Sequence, residues 1–173
     1  MDGKALRDKQ AVLKGRYKER PESAKLTLHA CGTVLQDRVA LRIDTGHGRV
    51  TAGLHPYTGG SGEDACSGDM MLESLAACAG VTLAAVATAM GVTIRHGQVH
   101  VEGDLDFRGT LGVTKDAPVG FSAIRLRFEL DTDASDDQLD TLLKLTERYC
   151  VIFQTLRQPP VVSATLERGW QRR

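Results

Sequence analysis

The sequence lacks a net charge, an internal repeat, a low-complexity segment and an apolar leader after Met1. Lys and Arg total 22, as do Asp and Glu, so there is no global positive field to attract nucleic acid. Self-association is only weakly opposed at zero net charge. Without a leader we expect a cytoplasmic protein. There, the four cysteines indicate thiols with chemical or packing roles rather than a structural disulfide framework.

One long apolar segment, 70–90, is about as long as a membrane span. Glu73 and Ser74 interrupt it, Asp69 precedes it, and no positively charged flank supports insertion. We therefore expect no membrane contact. The segment predicts a helix that is buried over most of its circumference, in the core or at a subunit interface.

The order of the other patterns predicts an α+β fold. Residues 1–24 form a basic N-terminal arm, and residues 25–173 form a single domain. Apolar and polar residues alternate as in strands over 25–53, 92–107, 121–130 and 161–167. Helical patterns cover 70–90, a segment that begins after Ser135, and a short segment that ends at Arg157. Strands and helices do not alternate strictly, which argues against a doubly wound parallel sheet.

Several residues predict where the helices begin and end. Ser67 or Asp69 is suited to cap the long helix, and Gly91 is suited to end it. Ser135 and Gln138 have the spacing of a capping box. The next helix breaks or bends near Cys150.

The two most informative residues are Cys78, inside the long helix, and Cys150, at the start of the short one. Ser74 and Thr82 lie four residues before and after Cys78, so both hydroxyls share its helical face. Amide donors and the helix dipole would stabilise a thiolate at Cys150. Two distant thiols that the fold could bring together suggest a dithiol that cycles with a disulfide.

The segments around these cysteines are DMMLESLAAC (69–78) and YCVIFQTL (149–156). They resemble the two cysteine motifs of the OsmC/Ohr family, which comprises osmotically inducible protein C-like and organic hydroperoxide resistance-like proteins. The likeness extends from about residue 59 to the C-terminus and includes Pro159 and Pro160 before the last predicted strand. Each motif is moderately specific alone, and the two together in this order make the resemblance strong.

The resemblance implies an OsmC-like fold, with antiparallel-rich sheets packed on a long central apolar helix in an intertwined homodimer. It also implies thiol-dependent reduction of organic hydroperoxides, with Cys78 as the peroxidatic thiol and Cys150 as the resolving thiol. Electrons would come from an external dithiol reductant, so no bound cofactor or metal is expected.

The sequence departs from the family before the long helix, where GEDACSGD replaces the loop that carries an activating glutamate. In the family this glutamate pairs with an arginine from the N-terminal strands. The departure also introduces Cys66, which could act as an auxiliary thiol or pair with Cys78, whereas Cys31 is assigned no role. The candidate acids are Glu63, Asp64, Asp69 and Glu73, and the candidate arginines are Arg38, Arg42 and Arg49.

The residues alone suggest three other functions, namely a metal site, a phosphate-binding loop and a non-catalytic binding protein or sensor. His47, His55 and Cys66 flank a glycine-rich loop, but their spacing matches no zinc signature. The same loop lacks the Gly-Lys-Ser/Thr ending of a phosphate-binding loop. The main alternative is a non-catalytic OsmC-like protein that binds a hydrophobic small molecule or acts as a thiol redox sensor.

Overall fold

The computed structural model describes residues 2–168 and has an α+β architecture. In the described part, the helices are α1 (Gly3–Glu19), α2 (Ser67–Met90), α3 (Phe107–Thr110), α4 (Asp136–Tyr149) and α5 (Val151–Arg157). The strands are β1 (Gly32–Leu35), β2 (Ala40–Thr45), β3 (Gly48–Gly53), β4 (Ala65–Cys66), β5 (Ile94–Asp104) and β6 (Ala123–Thr132).

The strands form two separate sheets. β1, β2 and β3 are antiparallel neighbours, and the short β4 joins the edge in parallel beside β3. β5 and β6 form a long antiparallel ribbon with an irregularity at its start. The expected antiparallel-rich sheets and α+β class are therefore confirmed.

Helix α2 is the element on which the fold is built, since it contacts α1, α4, α5 and β5. Its buried residues recur every fourth position, which places Leu75, Ala79, Leu83 and Ala87 in one row along the helix. The first half of the row packs around Cys150, and the second half packs around Leu142 of α4. The core therefore runs along one side of α2 and ends at the predicted thiols.

Most of the predicted helix ends are confirmed. Gly91 follows α2 with φ of +74°, a left-handed conformation that glycine adopts without steric cost. Ser135 and Gln138 form the capping box of α4, and Cys150 separates α4 from α5. The predicted cap of α2 is wrong. Its N-cap is Cys66, with no side-chain cap hydrogen bond, because the chain enters the helix directly from β4.

Two predicted strands are absent from the described chain. Residues 25–30 and 161–167 have no regular secondary structure, although their sequences alternate as strands do. Their apolar side chains stand in solvent, with Leu28 84% exposed and Val161 fully exposed. A strand forms only where a neighbour satisfies its backbone groups, and neither segment has such a neighbour among residues 2–168.

Among residues 2–168, α2 is the one helix whose length and composition would allow it to cross a membrane. The core helix of a soluble protein meets the same criteria. Only 28% of its most apolar 18-residue window is buried within the chain. The exposed side of α2 includes Ala77, Val81 and Ala84, which form a second, uncovered row.

Candidate dithiol site

The fold brings Cys78 and Cys150 together. Cys78 lies in the middle of α2 and packs against the cluster of Leu75, Ala79 and Cys150. Cys150 is both the last cap of α4 and the first cap of α5, in an extended conformation that turns its side chain into this cluster. Its exposed fraction is 0%, whereas Cys78 is only partly buried. Both are free thiols, and each shifts the pKa of the other.

The start of α5 supplies amide donors to both sulfurs. The first N–H groups of a helix have no partner within it, so they are available to other acceptors. The amides of Ile152 and Val151 act to lower the pKa of Cys78. Those of Phe153 and Ile152 act in the same direction on the pKa of Cys150. The amide dipoles at the start of α5 therefore act on both thiols.

These contacts move the pKa values of the two thiols in opposite directions. For Cys78, burial acts to raise the pKa, but the amides of Ile152 and Val151 and the thiol of Cys150 outweigh it and lower the pKa. For Cys150, burial and the neighbouring Cys78 raise the pKa, against the opposing effect of the amides. The expected stabilisation of a Cys150 thiolate is therefore wrong, because burial outweighs the amide donors. Every group that lowers the pKa of Cys78 is neutral, so hydrogen bonds rather than a cation stabilise its thiolate.

The two hydroxyls predicted beside Cys78 differ in their contacts. Thr82 donates to the Cys78 carbonyl at 2.7 Å and also contributes to the lowered pKa of the Cys78 thiol. Ser74 donates to the carbonyl of Met70 at 2.9 Å and lies exposed. The hydroxyl that affects the sulfur is therefore that of Thr82.

Cys66 lies at the other end of α2. Cys78 is twelve positions further along this helix, which is about 18 Å at 1.5 Å per residue. A disulfide requires Cα atoms within about 7 Å, so the two cannot pair within one chain while α2 is intact. The structure thus separates Cys66 from the dithiol, and it places Cys31 on the surface.

The candidate acids and arginines do not gather around Cys78 in the chain. Arg38 pairs with Asp64 at 3.2 Å beside the start of α2, and Arg49 pairs with Asp44 at 2.9 Å across the β2–β3 turn. Arg42 has a buried Nε atom without a hydrogen-bond partner in the described chain. Glu63, Asp69 and Glu73 are exposed.

Among residues 2–168, no three His, Cys, Asp or Glu side chains lie together in a way that could hold a metal ion. His55 instead accepts a hydrogen bond from the Tyr57 amide at 3.1 Å and stacks on Phe107. His100 lies 3.3 Å from Glu129 on the β5–β6 ribbon, the cross-strand contact expected for a solvent-facing strand residue.

The sequence predicted both thiols and amide donors at the start of the short helix, but it assigned those donors to Cys150 and did not predict that Val151 and Ile152 act on Cys78. Every residue has an amide, so no side chain marks those that face a sulfur. The only available signal was the predicted start of a helix immediately after Cys150.

Comparison with known proteins identifies the family. The model of the family described as OsmC-like protein matches residues 60–165. No curated protein matches the chain. Among solved structures, an OsmC-like protein from Mycoplasma pneumoniae has a TM-score of 0.66 at 18% identity, covering 78% of this chain and 90% of its own.

Two other solved structures are organic hydroperoxide resistance proteins by name. The protein from Legionella pneumophila has a TM-score of 0.60 at 15% identity, covering 78% of this chain and 93% of its own. The one from Elizabethkingia anophelis, with thiocyanate bound, has a TM-score of 0.58 at 13% identity, covering 78% and 92%. At such identities the likeness shows a shared fold.

Proposed function

Because the chain belongs to the OsmC-like protein family, we propose that it reduces organic hydroperoxides by a thiol/disulfide cycle of Cys78 and Cys150. The observation that carries the proposal is the contrast between the two adjacent thiols. Cys78 has a lowered pKa and is partly accessible, and Cys150 has a raised pKa and is buried beside it. Cys78 is thereby suited to attack the peroxide as a thiolate, and Cys150 is suited to remain protonated until the sulfenic acid has formed.

In the first step, the Cys78 thiolate attacks one oxygen of the hydroperoxide. The S–O bond forms as the O–O bond breaks, the alkoxide takes a proton and leaves as an alcohol, and Cys78 becomes a sulfenic acid. The sulfur loses two electrons, and the peroxide gains them. A lowered pKa increases the fraction of Cys78 in the reactive thiolate form at neutral pH.

In the second step, the sulfur of Cys150 attacks the Cys78 sulfenic acid. The S–S bond forms, the S–O bond breaks, and the hydroxyl leaves with the Cys150 proton as water. The packing of Cys78 against the cluster that contains Cys150 supports this step, since the second thiol lies beside the first. An external dithiol then supplies two electrons and two protons to restore both thiols, in the reducing environment of the cytoplasm.

The working form in this proposal is a homodimer. The uncovered row of Ala77, Val81 and Ala84 on α2 is apolar and composed of small residues, as a helix-packing surface would be. The segments 25–30 and 161–167 have strand-like sequences and no strand partner in the described part of the chain, which suits pairing with a second copy. Both features support an intertwined assembly.

Disulfide mapping by mass spectrometry tests the cycle. Reduced protein is treated with one equivalent of cumene hydroperoxide, and the wild type is compared with Cys78→Ser, Cys150→Ser and the control Cys31→Ser. We expect a Cys78–Cys150 disulfide in the wild type and the control. Cys150→Ser should accumulate sulfenic acid at Cys78, and Cys78→Ser should consume no peroxide.

Two outcomes would contradict the cycle. A disulfide that includes Cys66 would keep a peroxidase but give the resolving role to the auxiliary thiol, which would then have to reach Cys78 from a second chain. If all four thiols stay free, catalysis fails, and a ligand-binding or redox-sensing OsmC-like protein becomes the better description.

A further inference from the structure

A cavity of about 780 Å³ lies beside the first turn of α2 and adjoins the dithiol site, with Leu75 and Phe153 common to both. Its walls come from α2, α5, β6 and the loops that precede α2 and β6, and neither Cys78 nor Cys150 lines it. Its volume lies within the usual range of about 300–1,000 Å³ for small-molecule sites. The cavity is therefore large enough for a ligand of its own.

The walls of this cavity are rich in aromatic rings. The sequence has only four phenylalanines, and three of them, Phe107, Phe121 and Phe153, line the cavity. The His55 ring stacks on Phe107 with centroids 4.9 Å apart, which fixes one side of the wall. Aromatic rings pack favourably against other rings in offset or edge-to-face geometry. This wall therefore favours a planar, apolar ligand.

The charge in the cavity is of one sign. Arg157 is the one permanently charged residue in the lining, which contains no Asp or Glu among the described residues. The acids adjacent in sequence to the lining are Asp69, Asp104 and Asp106. Asp104 pairs with Arg125 and Asp106 with Arg108, whereas Asp69 is exposed on α2 and does not line the cavity. The Arg157 guanidinium lies over the Phe153 ring, 5.8 Å from its centroid, and forms no ion pair within residues 2–168. A lone cation beside aromatic rings favours an anion with an aromatic body.

We propose that this cavity binds an aromatic molecule that bears one negative group, such as an aryl carboxylate or sulfonate. The ring lies among Phe107, Phe121 and Phe153, and the anion pairs with Arg157. Binding requires neither thiol of the dithiol site, so it goes beyond the hydroperoxide cycle and stands or falls separately from it.

A matched pair of fluorescent probes tests the ligand class. 1-Anilinonaphthalene-8-sulfonate and N-phenyl-1-naphthylamine share one aromatic skeleton, and only the first carries a negative group. We expect Arg157→Gln to weaken the anionic probe about five- to tenfold, because a charge-assisted contact is lost at a partly solvated site. The neutral probe should change less than twofold. Arg148→Gln is the control, since Arg148 also lies over a ring, that of Tyr149, outside this cavity.

A second pair of variants locates the probe. A Cβ at Gly68 would lie 3.6 Å from Cys66 Sγ and Phe121 Cζ, so a side chain fits there and enters the cavity. Gly68→Leu should weaken both probes at least tenfold. Gly15→Leu, at a position with no neighbour within 4 Å, should change neither. Circular dichroism and thermal unfolding verify that each variant is folded.

The wild type provides a test that needs no variant. Cys66 lines the cavity and Cys31 lies on the surface, so saturating sulfonate probe should slow alkylation of Cys66 by N-ethylmaleimide and leave Cys31 unchanged. Absence of protection would overturn the site. Equal affinity of both probes for the wild type and Arg157→Gln would overturn the anionic ligand class. Neither result depends on whether the protein reduces a peroxide.

Discussion

At the scale of single residues, burial of Cys78 opposes its ionisation, and four neutral hydrogen-bonding groups outweigh that effect. In the folded protein the thiolate forms at lower pH than in the unfolded chain, where a cysteine titrates near 8.5. The stability that ionisation contributes is therefore present above the unfolded pKa and is lost as the pH falls through the folded pKa.

This difference can be measured by alkylation. In a Cys31→Ser, Cys66→Ser, Cys150→Ser background, the rate of iodoacetamide reaction at Cys78 should rise at lower pH in buffer than in urea. The serine at position 150 retains a hydroxyl donor beside the sulfur. A folded profile that coincides with the urea profile, or lies above it, would contradict the electrostatic account.

Thr82 offers a finer test of the same site. Thr82→Val removes a hydroxyl that contributes to the lowered pKa of the Cys78 thiol, so the pH profile of alkylation should move to higher pH. Thr88→Val is a matched control, because Thr88 donates to the Ala84 carbonyl at the same 2.7 Å distance as Thr82 to the Cys78 carbonyl. Thr88 lies nearly three helical turns beyond Cys78 in α2. A similar shift in both variants would mean that helix perturbation, and not the lost hydroxyl, is responsible.

The residue scale also shows what the sequence could specify. Side chains with distinctive chemistry, such as Cys78 and Cys150, are recognisable in the sequence alone. The sequence also predicts amide donors at the start of α5, but that Val151 and Ile152 act on Cys78 depends on where α5 lies relative to α2. The sequence predicts Cys66 in a loop that could fold back to Cys78. In the structure α2 begins immediately after Cys66, and the intervening helix keeps the two cysteines apart.

At the scale of elements, the capping box of α4 fixes the helix that ends at Cys150. The Ser135 amide donates to Gln138 Oε1 at 3.0 Å, and the Gln138 amide donates to Ser135 Oγ at 3.4 Å. Ser135→Ala should lower the free energy of unfolding by about 1 kcal/mol, as measured by urea denaturation. Ser23→Ala, which removes an exposed hydroxyl bonded to the Arg20 carbonyl, should cost less than about 0.5 kcal/mol. Equal losses would show that the cap contributes nothing specific.

Local signals predicted elements well where the structure depends on neighbours in sequence. The capping box and Gly91 depend on residues within one or two turns, and both are confirmed. The α2 cap was wrong because β4, a two-residue strand with no detectable pattern, delivers the chain to Ser67. The strands predicted at 25–30 and 161–167 depend on partners that no local pattern reveals.

At the scale of the whole molecule, the single chain leaves apolar surface that a soluble protein ordinarily covers. In the proposed homodimer, a second copy of the chain would cover both the uncovered row on α2 and the segments 25–30 and 161–167. Zero net charge leaves association without long-range repulsion.

A charge placed on the uncovered row distinguishes a dimer surface from ordinary exposed apolar residues. Val81 is 72% exposed in the chain and Val12 of α1 is 75% exposed, so a lysine at either position costs the isolated chain little. If Val81 lies in a dimer interface, Val81→Lys buries an unpaired ammonium there, and the dimer dissociates. Light scattering after size exclusion should then give about twice the 18.7 kDa chain mass for the wild type and Val12→Lys, and one chain mass for Val81→Lys. A dimer that survives Val81→Lys would place the interface elsewhere, and a monomeric wild type would remove the homodimer from the proposed mechanism.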